Sequence, residues 1–544
     1  MGSIPSERRH FKADSVCIIG AGPSGLAAAK YLLAEKKAFS RIVIYEQRAE
    51  TGGLWNYVPL RRNSKEKKVV VEGDGGVDVN VRVPVPVPQT SPDAGFAEAI
   101  WGENDEEPKF VSPVYERLET NIPRGLMGFS DLDWKENRQL FPKHEDVLEY
   151  LREYGEEVVH LVKFKTQVVD VKLWEEEEGG GEKWVVKTRP VVRQVSSAAA
   201  QLVEKEEENE KEEIFDAVIC ANGHYEVPYI PSVPGISAWN EAYPNTISHS
   251  KFYRTPEEFA GRKVIVVGNS ASGIDISAQI EPFCSAPLII SQKSESYLNV
   301  ESSSKKPNQI TKPEITSYAP HPNRTITFSD NTTESHIDAI LYCTGYFYSY
   351  PFLHSLSPPI TTSGERVENT YQHMFYTPHP TLSFLVLNQK VIPFPLAEAQ
   401  SAVIARVLSG RILLPSTQEM RSWERAVEKD MGTGRSFHVL KFPKDGVYMN
   451  FLSAWATSVD HRHDQPSSSS SSSSCSSSSP SSSSSSSSDK DDKDGEVVTG
   501  KTPPQWGEKE FRTREKFPHI KSAFNALGEG RHQVRSLEEL GVEL

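Results

Sequence analysis

The stretch Ser15-Val16-Cys17-Ile18-Ile19-Gly20-Ala21-Gly22-Pro23-Ser24-Gly25 decides the fold. A short β-branched apolar run feeds a G-x-G-x-x-G turn, and the small-residue run Leu26–Ala34 behind it reads as a helix. Gly20 permits a tight turn, Gly22 lets backbone approach a diphosphate, and Gly25 allows close packing of helix on strand. The diphosphate would rest on the helix N-terminus, where unpaired N–H groups and the positive end of the dipole converge. Arg41–Tyr45 then reads as a second strand closed by Glu46, 26 positions beyond Gly20. That is close to the roughly 20-residue spacing of a carboxylate that binds ribose hydroxyls. A glycine turn alone is weak evidence. Strand, turn, helix and terminal acid together read as a dinucleotide site rather than a structural turn.

The same grammar returns at Lys263–Val267, Gly268-Asn269-Ser270-Ala271-Ser272-Gly273, Ile274–Ile280 and Pro287–Ser291. Ser270 replaces the middle glycine. At the position equivalent to Glu46 stand Gln292 and Lys293. A carboxylate there would repel a ribose 2′-phosphate and Lys293 would attract it, which favours NADP over NAD. Glu295 would oppose that charge if the register shifted, and Lys293 as an ordinary surface lysine stays open. Two further strands, Phe215–Ala221 and His336–Thr344, run into glycine-containing turns. Strands alternating with helices imply parallel βαβ units. The expected fold is α/β, two doubly wound Rossmann-like dinucleotide-binding domains, with the second, NADP-favouring domain inserted in the first.

Working outward, residues 1–14 are expected to form an N-terminal tail and 15–225 the first part of the outer dinucleotide domain, with insertions near 62–109 and 175–213. The NADP domain is expected over 226–335 and the second part of the outer domain over 336–460. Between Ser467 and Ser488 every residue is serine except Cys475 and Pro480, so 461–500 is expected to be a disordered linker before a C-terminal segment, 501–544. The acidic runs Glu175–Glu178 and Glu204–Glu213 read as solvated loops, and prolines 84, 86 and 88 demote a valine run to an edge strand or an extended loop.

Across all 544 residues, 60 Lys+Arg oppose 74 Asp+Glu, a formal charge of −14, which argues against a nucleic-acid partner. No apolar run is long enough to span a membrane, and the polar opening residues are not a secretory signal. A cytoplasmic location follows as the expectation. The opening Met1-Gly2-Ser3-Ile4-Pro5-Ser6 formally fits an N-myristoylation pattern, a short and permissive match. Five scattered cysteines include no C-x-x-C pair, so neither a disulfide framework nor a cysteine metal site is expected, and no metal is assigned. Two dinucleotide sites suggest one bound flavin and one exchanging nicotinamide. Disulfide reductases share that plan but need a redox cysteine pair. An oxygen-using monooxygenase remains.

The segment Tyr243–Tyr253 resembles the F-x-G-x-x-x-H-x-x-x-[YF] pattern of class B flavin monooxygenases: His249 and Tyr253 match, whereas Tyr243 and Asn245 stand for its Phe and Gly. Gly52-Gly53-Leu54-Trp55-Asn56, Leu118–Pro123, Phe141–Tyr150 and Cys343-Thr344-Gly345-Tyr346 extend the likeness. Together they resemble the flavin-containing monooxygenases that oxygenate nitrogen and sulfur, especially soluble plant and fungal members.

The resemblance implies FAD and NADP(H) as cofactors, with O₂ and a small molecule bearing a thioether sulfur or an amine nitrogen as substrates. It implies that Gly20, Ala21, Gly22, Pro23, Ser24, Gly25 and Glu46 bind the ADP half of FAD, with Gly53, Leu54 and Trp55 beside the flavin. It places Thr120 and Asn121 at the flavin–nicotinamide junction, Asn121 as the catalytic amide that protects a C4a-hydroperoxyflavin. Gly268, Ser270, Ser272, Gly273 and Asp275 would hold NADP, with Lys293 at its 2′-phosphate. His249 and Tyr253 match a linker motif, structural rather than acid–base. Other class B activities (N-hydroxylation, Baeyer–Villiger insertion, auxin-type oxidative decarboxylation) remain alternatives, as does an uncoupled NADPH oxidase or silent flavoprotein. Oligomeric state has no signature, and a dimer stays open.

Overall fold

In a computed structural model, the described residues are 8–63, 68–71, 77–81, 86–102, 107–175, 181–193, 210–296, 308–458 and 500–542. The Ser-rich linker and residues 1–7 lie outside them. The chain lays down β1 (Ser15–Ile19), α1 (Pro23–Ala34), β2 (Arg41–Tyr45), α2 (His144–Gly155) and β3 (Val162–Lys163). A hairpin of β4 (Thr166–Glu175) and β5 (Glu182–Pro190) follows, then β6 (Lys211–Phe215) and β7 (Ala217–Cys220). After β8 (Val227–Pro228) comes a second unit: β9 (Ile247–His249), β10 (Val264–Val267), α3 (Ala271–Ile280), β11 (Leu288–Ser291), β12 (Gln309–Lys312) and β13 (Ala339–Tyr342). The chain returns through β14 (Tyr346–Phe347) to β15 (Thr370–Tyr371), β16 (Phe375–Tyr376), β17 (Leu382–Phe384), α4 (Pro393–Leu408), α5 (Lys444–Thr457) and α6 (Glu508–Ala526).

The first sheet has the order β15-β16-β17-β7-β1-β2-β3, parallel from β17 to β3. Residues of β1 alternate between its two faces: Val16 and Ile18 join a core with α1, α2 and α4, while Cys17 and Ile19 join Val171, Trp184 and Phe215 of the antiparallel β4-β5-β6 sheet. Pro23 starts α1, where a missing N–H costs nothing. Ala27, Ala28 and Ala29 are small enough for the helix to pack against α4 as well as the sheet, so its sequence shows no polar stripe.

The second sheet has the order β9-β13-β10-β11-β12, entirely parallel. The strand expected to reopen the FAD domain at 336 is therefore misassigned: Ala339–Tyr342 lies between β9 and β10, so this unit extends to about Gly345. The error arises because an apolar strand ending in a glycine turn suits either sheet, and only long-range pairing decides. The chain enters and leaves the second unit through β8 and β14, which pair antiparallel.

Three other expectations also change. The tail is docked from Arg8 onward: Arg9 bridges Leu414, and Ala13 is buried with its N–H donating to the Leu408 carbonyl. The acidic run to Glu213 enters strand β6, where Arg41, Tyr45 and Lys163 meet the Glu213 carboxylate. The strand written as Phe215–Ala221 breaks at Asp216, whose carboxylate accepts from the N–H groups of Asp14 and Ser15.

Candidate functional site

The two glycine turns are near duplicates. Gly20 and Gly268 have φ of +104° and +106°, a region closed to most side chains. A Cβ on Gly20 would lie 2.7 Å from the Ala221 carbonyl oxygen, and on Gly268 2.6 Å from that of Cys343. A Cβ on Gly25 would meet the Gly20 oxygen at 1.9 Å, and on Gly273 the Gly268 oxygen at 2.1 Å. First and last glycines are thus demanded by the fold itself. The middle position differs: Gly22 has φ −77° and ψ −177°, Ser270 φ −84° and ψ −167°. Any residue fits that backbone. A glycine at 22 is explained by what must approach it, and Ser270 offers a Cβ and hydroxyl at the same place.

Around the first turn, the Ala21 N–H donates to Glu46 Oε2 at 2.8 Å and the Arg48 N–H to Oε1 at 2.8 Å. The acid is buried at the tip of β2, facing the turn. Gly52 and Gly53 lie across from it, a Cβ on Gly53 falling 2.9 Å from Gly22 Cα. Asn56 fastens this loop by donating to the carbonyls of Thr51 (2.9 Å) and Gly53 (3.1 Å). Its Oδ1 is a buried acceptor with no partner among the described residues. Trp55 packs edge-on to Phe394 at the start of α4. A dinucleotide diphosphate fits here: two glycine-lined loops, the N-terminus of α1 and a carboxylate for ribose.

At the second turn, the Asn269 amide donates to Gln292 Oε1 and the Ser294 carbonyl, both at 2.7 Å, tying turn to strand end. Lys293 lies beside them with its side chain 83% exposed, 3.7 Å from Glu314. Inside α3, Asp275 accepts from the Tyr115 hydroxyl and from Gln279 Nε2 at 2.9 Å. Burial raises its pKa, and the Tyr115 bond opposes that rise. Gln279 Oε1 accepts from Tyr253 at 3.0 Å. Tyr253 therefore braces α3 through Gln279.

His249 is fully buried. Its Nδ1 accepts the Lys251 N–H at 3.1 Å, leaving the proton on Nε2 to donate to the Gly345 carbonyl at 3.0 Å. Burial pushes its pKa down to about 3. A neutral imidazole with both nitrogens engaged has no proton to trade; it pins β9 to the crossing point of the two units. Asn245, standing for a family glycine, has φ +68°. Asparagine is among the few side chains that enter this region readily, so the turn is preserved.

Thr120 is buried, its N–H donating to Pro142 and its hydroxyl to the Ile122 carbonyl at 2.8 Å. Asn121 beside it is exposed, and its amide has no hydrogen bond among the described residues. Sequence reasoning missed Tyr115 and Gln279, which carry no motif. It also missed Lys521 of α6, which donates to the Thr120 carbonyl at 2.9 Å.

Two dinucleotide cradles on two parallel sheets define a pyridine-nucleotide-dependent flavoprotein. The family description "flavin-binding monooxygenase-like" matches residues 93–311 and 311–464, and a NAD(P)-binding Rossmann-like domain matches residues 18–72. Flavin-containing monooxygenase FMO GS-OX-like 9 of Arabidopsis thaliana is 33% identical over 432 residues, covering 77% of this chain and 81% of that protein. The solved structure of S-allyl-L-cysteine S-oxygenase from Allium sativum aligns with a TM-score of 0.61 at 30% identity, over 82% of this chain and 89% of the other. Tmm from Pelagibacter sp. strain HTCC7211 shares the fold, with a TM-score of 0.57 at 20% identity over 83% and 87% of the two chains. The chain belongs to the flavin-containing monooxygenase family: it is an FAD- and NADPH-dependent enzyme that takes O₂ and a small molecule as substrates. No described helix is long and apolar enough to cross a membrane.

Proposed function

We propose that this enzyme oxygenates the sulfur of a small thioether. In balance, thioether, O₂, NADPH and a proton give sulfoxide, water and NADP⁺. Bound FAD supplies the oxygen activation, and the chain binds, orients and excludes water. Gly20–Gly25, Glu46 and the Gly53–Trp55 loop hold FAD. Gly268–Gly273 and Asp275 hold NADP(H), with Lys293 at the 2′-phosphate. Thr120 and Asn121 lie where the two cofactors meet, and the free Asn121 amide is the hydrogen-bonding group available to the reacting centre. His249 and Tyr253 brace the arrangement.

The sulfur assignment is carried by the likeness to the S-allyl-L-cysteine S-oxygenase of Allium sativum, whose name gives a thioether as its substrate. A thioether lone pair takes up oxygen without a base, in keeping with a site that presents an amide where a nucleophile–base pair would otherwise stand. We read the setting as cytoplasmic, in keeping with the absence of a membrane-spanning helix among the described residues. The test is a parallel assay of S-alkyl cysteines and tertiary amines under isotopically heavy O₂. The expected result is one heavy oxygen in a sulfoxide and thioether-stimulated NADPH consumption. Stimulation by amines alone, or peroxide as the sole product, would overturn the assignment.

A further inference from the structure

Residues 500–542 lie beyond the part of the chain that the monooxygenase family description matches, yet they pack closely against the first cofactor-binding unit. The segment is anchored to the first unit by ion pairs with buried carboxylates: Lys501 with Glu398 at 3.1 Å and Arg514 with Asp445 at 2.7 Å. Its helix α6 then buries Ile520 and Phe524 against Leu140 and Phe141. This packing delivers Lys521 to the seam between the two units. The Lys521 stem lies along apolar surface, with its ammonium 4.4 Å from the Phe141 ring centre and 5.1 Å from that of Phe524.

On the first unit's side, Lys521 Nζ donates to the Thr120 carbonyl and stands 3.8 Å from Glu119 Oε2. The same carboxylate meets Arg531 at 3.2 Å, and its other oxygen meets His532 at 3.3 Å, both from the C-terminal segment. Gln139 completes the clamp on Glu119 at 3.3 Å. Burial lowers the Lys521 pKa, and the negative charges of Asp275 of α3 and of Glu119 oppose that fall. The ammonium is largely enclosed, its side chain 15% exposed, so its bond to the Thr120 carbonyl is shielded from water and strengthened.

We propose that Lys521 is a positioning residue of the oxygenation site, holding the Glu119–Asn121 segment against helix α6 and so fixing where the Asn121 amide lies. This inference rests on the reading that Thr120 and Asn121 lie where the cofactors meet. Lys521 acts through the Thr120 carbonyl on the neighbouring Asn121.

The test uses the full-length holoenzyme with Lys521→Met, which keeps the stem and removes the charge, and Lys521→Arg, which restores it. Affinity for NADP⁺ is titrated through the flavin spectrum, hydrogen exchange is followed over residues 116–124, and peroxide is measured per NADPH consumed. Lys521→Met is expected to retain flavin, exchange faster in that segment, bind NADP⁺ about tenfold more weakly and release more peroxide. Its rate of flavin reduction at saturating NADPH stays at the wild-type value, and Lys521→Arg recovers NADP⁺ affinity. Should Lys521→Met lose its flavin, Lys521→Leu takes its place with the same expectations, since it too removes both the charge and the donor to the Thr120 carbonyl. Flavin loss in both variants overturns the proposal in favour of a purely structural lysine. NADP⁺ affinity and peroxide release unchanged in the Lys521 variant but altered in Asn121→Leu also overturn it, and leave the site reading standing. If Asn121→Leu changes neither, the site reading itself is wrong.

Discussion

Gly22→Ala separates a glycine demanded by the fold from one demanded by a ligand. Its φ of −77° is open to alanine, and the new Cβ would meet the Gly53 Cα at 3.6 Å, an ordinary contact. The folded apoprotein should then be unharmed, or gain about 0.4–1 kcal/mol through loss of chain entropy in the unfolded state. The methyl group projects into the gap between the two glycine-lined loops. If a diphosphate sits there, the substitution displaces it from the N–H groups at the start of α1. Losing two charge-assisted hydrogen bonds at about 1.5–3 kcal/mol each amounts to about 3–6 kcal/mol. FAD affinity should therefore fall by roughly 10²- to 10⁴-fold. Gly25→Ala is the control: its Cβ would lie 1.9 Å from the Gly20 oxygen, so α1 cannot stay docked and the protein should not fold. Flavin absorbance per protein, FAD titration of apoprotein and thermal unfolding of both forms read out these effects. A Gly22→Ala protein with full flavin and wild-type affinity would refute the reasoning, as would an apoprotein destabilised by more than about 2 kcal/mol.

Lys293→Met should lower kcat/KM for NADPH about fivefold and leave NADH unchanged, the modest size reflecting an exposed charge worth about 1 kcal/mol. Equal use of the two nucleotides by wild type would contradict the reading of that strand end. Asn121→Leu should keep FAD while product formation falls about a hundredfold, for the loss of about 3 kcal/mol from one preorganised hydrogen bond, with the electrons leaving as H₂O₂. Unchanged coupling would make Asn121 an ordinary loop residue. For His249, the folded pKa of about 3 lies below the ordinary 6.5, so the unfolded chain takes up the proton first. Its contribution is complete above about pH 6.5 and is lost as the pH falls toward 3, the loss reaching about 2 kcal/mol at pH 5. Urea unfolding from pH 7 to pH 4 would reveal this, and a flat profile in that window would count against it.

What could be read from sequence was what is local. The Gly20–Gly25 turn and its repeat at Gly268 each lie within one strand–turn–helix, so spacing alone reports their geometry. The conformation of Asn245 was accessible in the same way, since asparagine and glycine share the left-handed region. Ala339–Tyr342 was assigned to the wrong sheet because its neighbours, Ile247–His249 and Val264–Val267, lie more than seventy residues upstream. The clamp on Glu119 was invisible for a similar reason. It joins residues about 400 positions apart, and lysine, arginine and histidine in a charged C-terminal segment look like a solvated face until the fold closes. Tyr115, Gln279 and Tyr253 form a chain whose logic appears only once Asp275 is seen at its end.

The crossing of the chain at Val227–Pro228 and Tyr346–Phe347 also bears on the order of synthesis at the ribosome. The described residues between these two strands belong to one contiguous parallel sheet and its attached layers, so that unit can close as soon as β13 has been made. The surrounding unit cannot. Its strand β7 lacks its second parallel neighbour until Leu382–Phe384 emerges, and α1 lacks its cover until α4 has followed. For the whole time the inner unit takes to be translated, the half-built outer sheet must wait with an open edge and an uncovered helix. The outer unit is begun first and completed last, and in that interval the nascent chain is most exposed to misassembly.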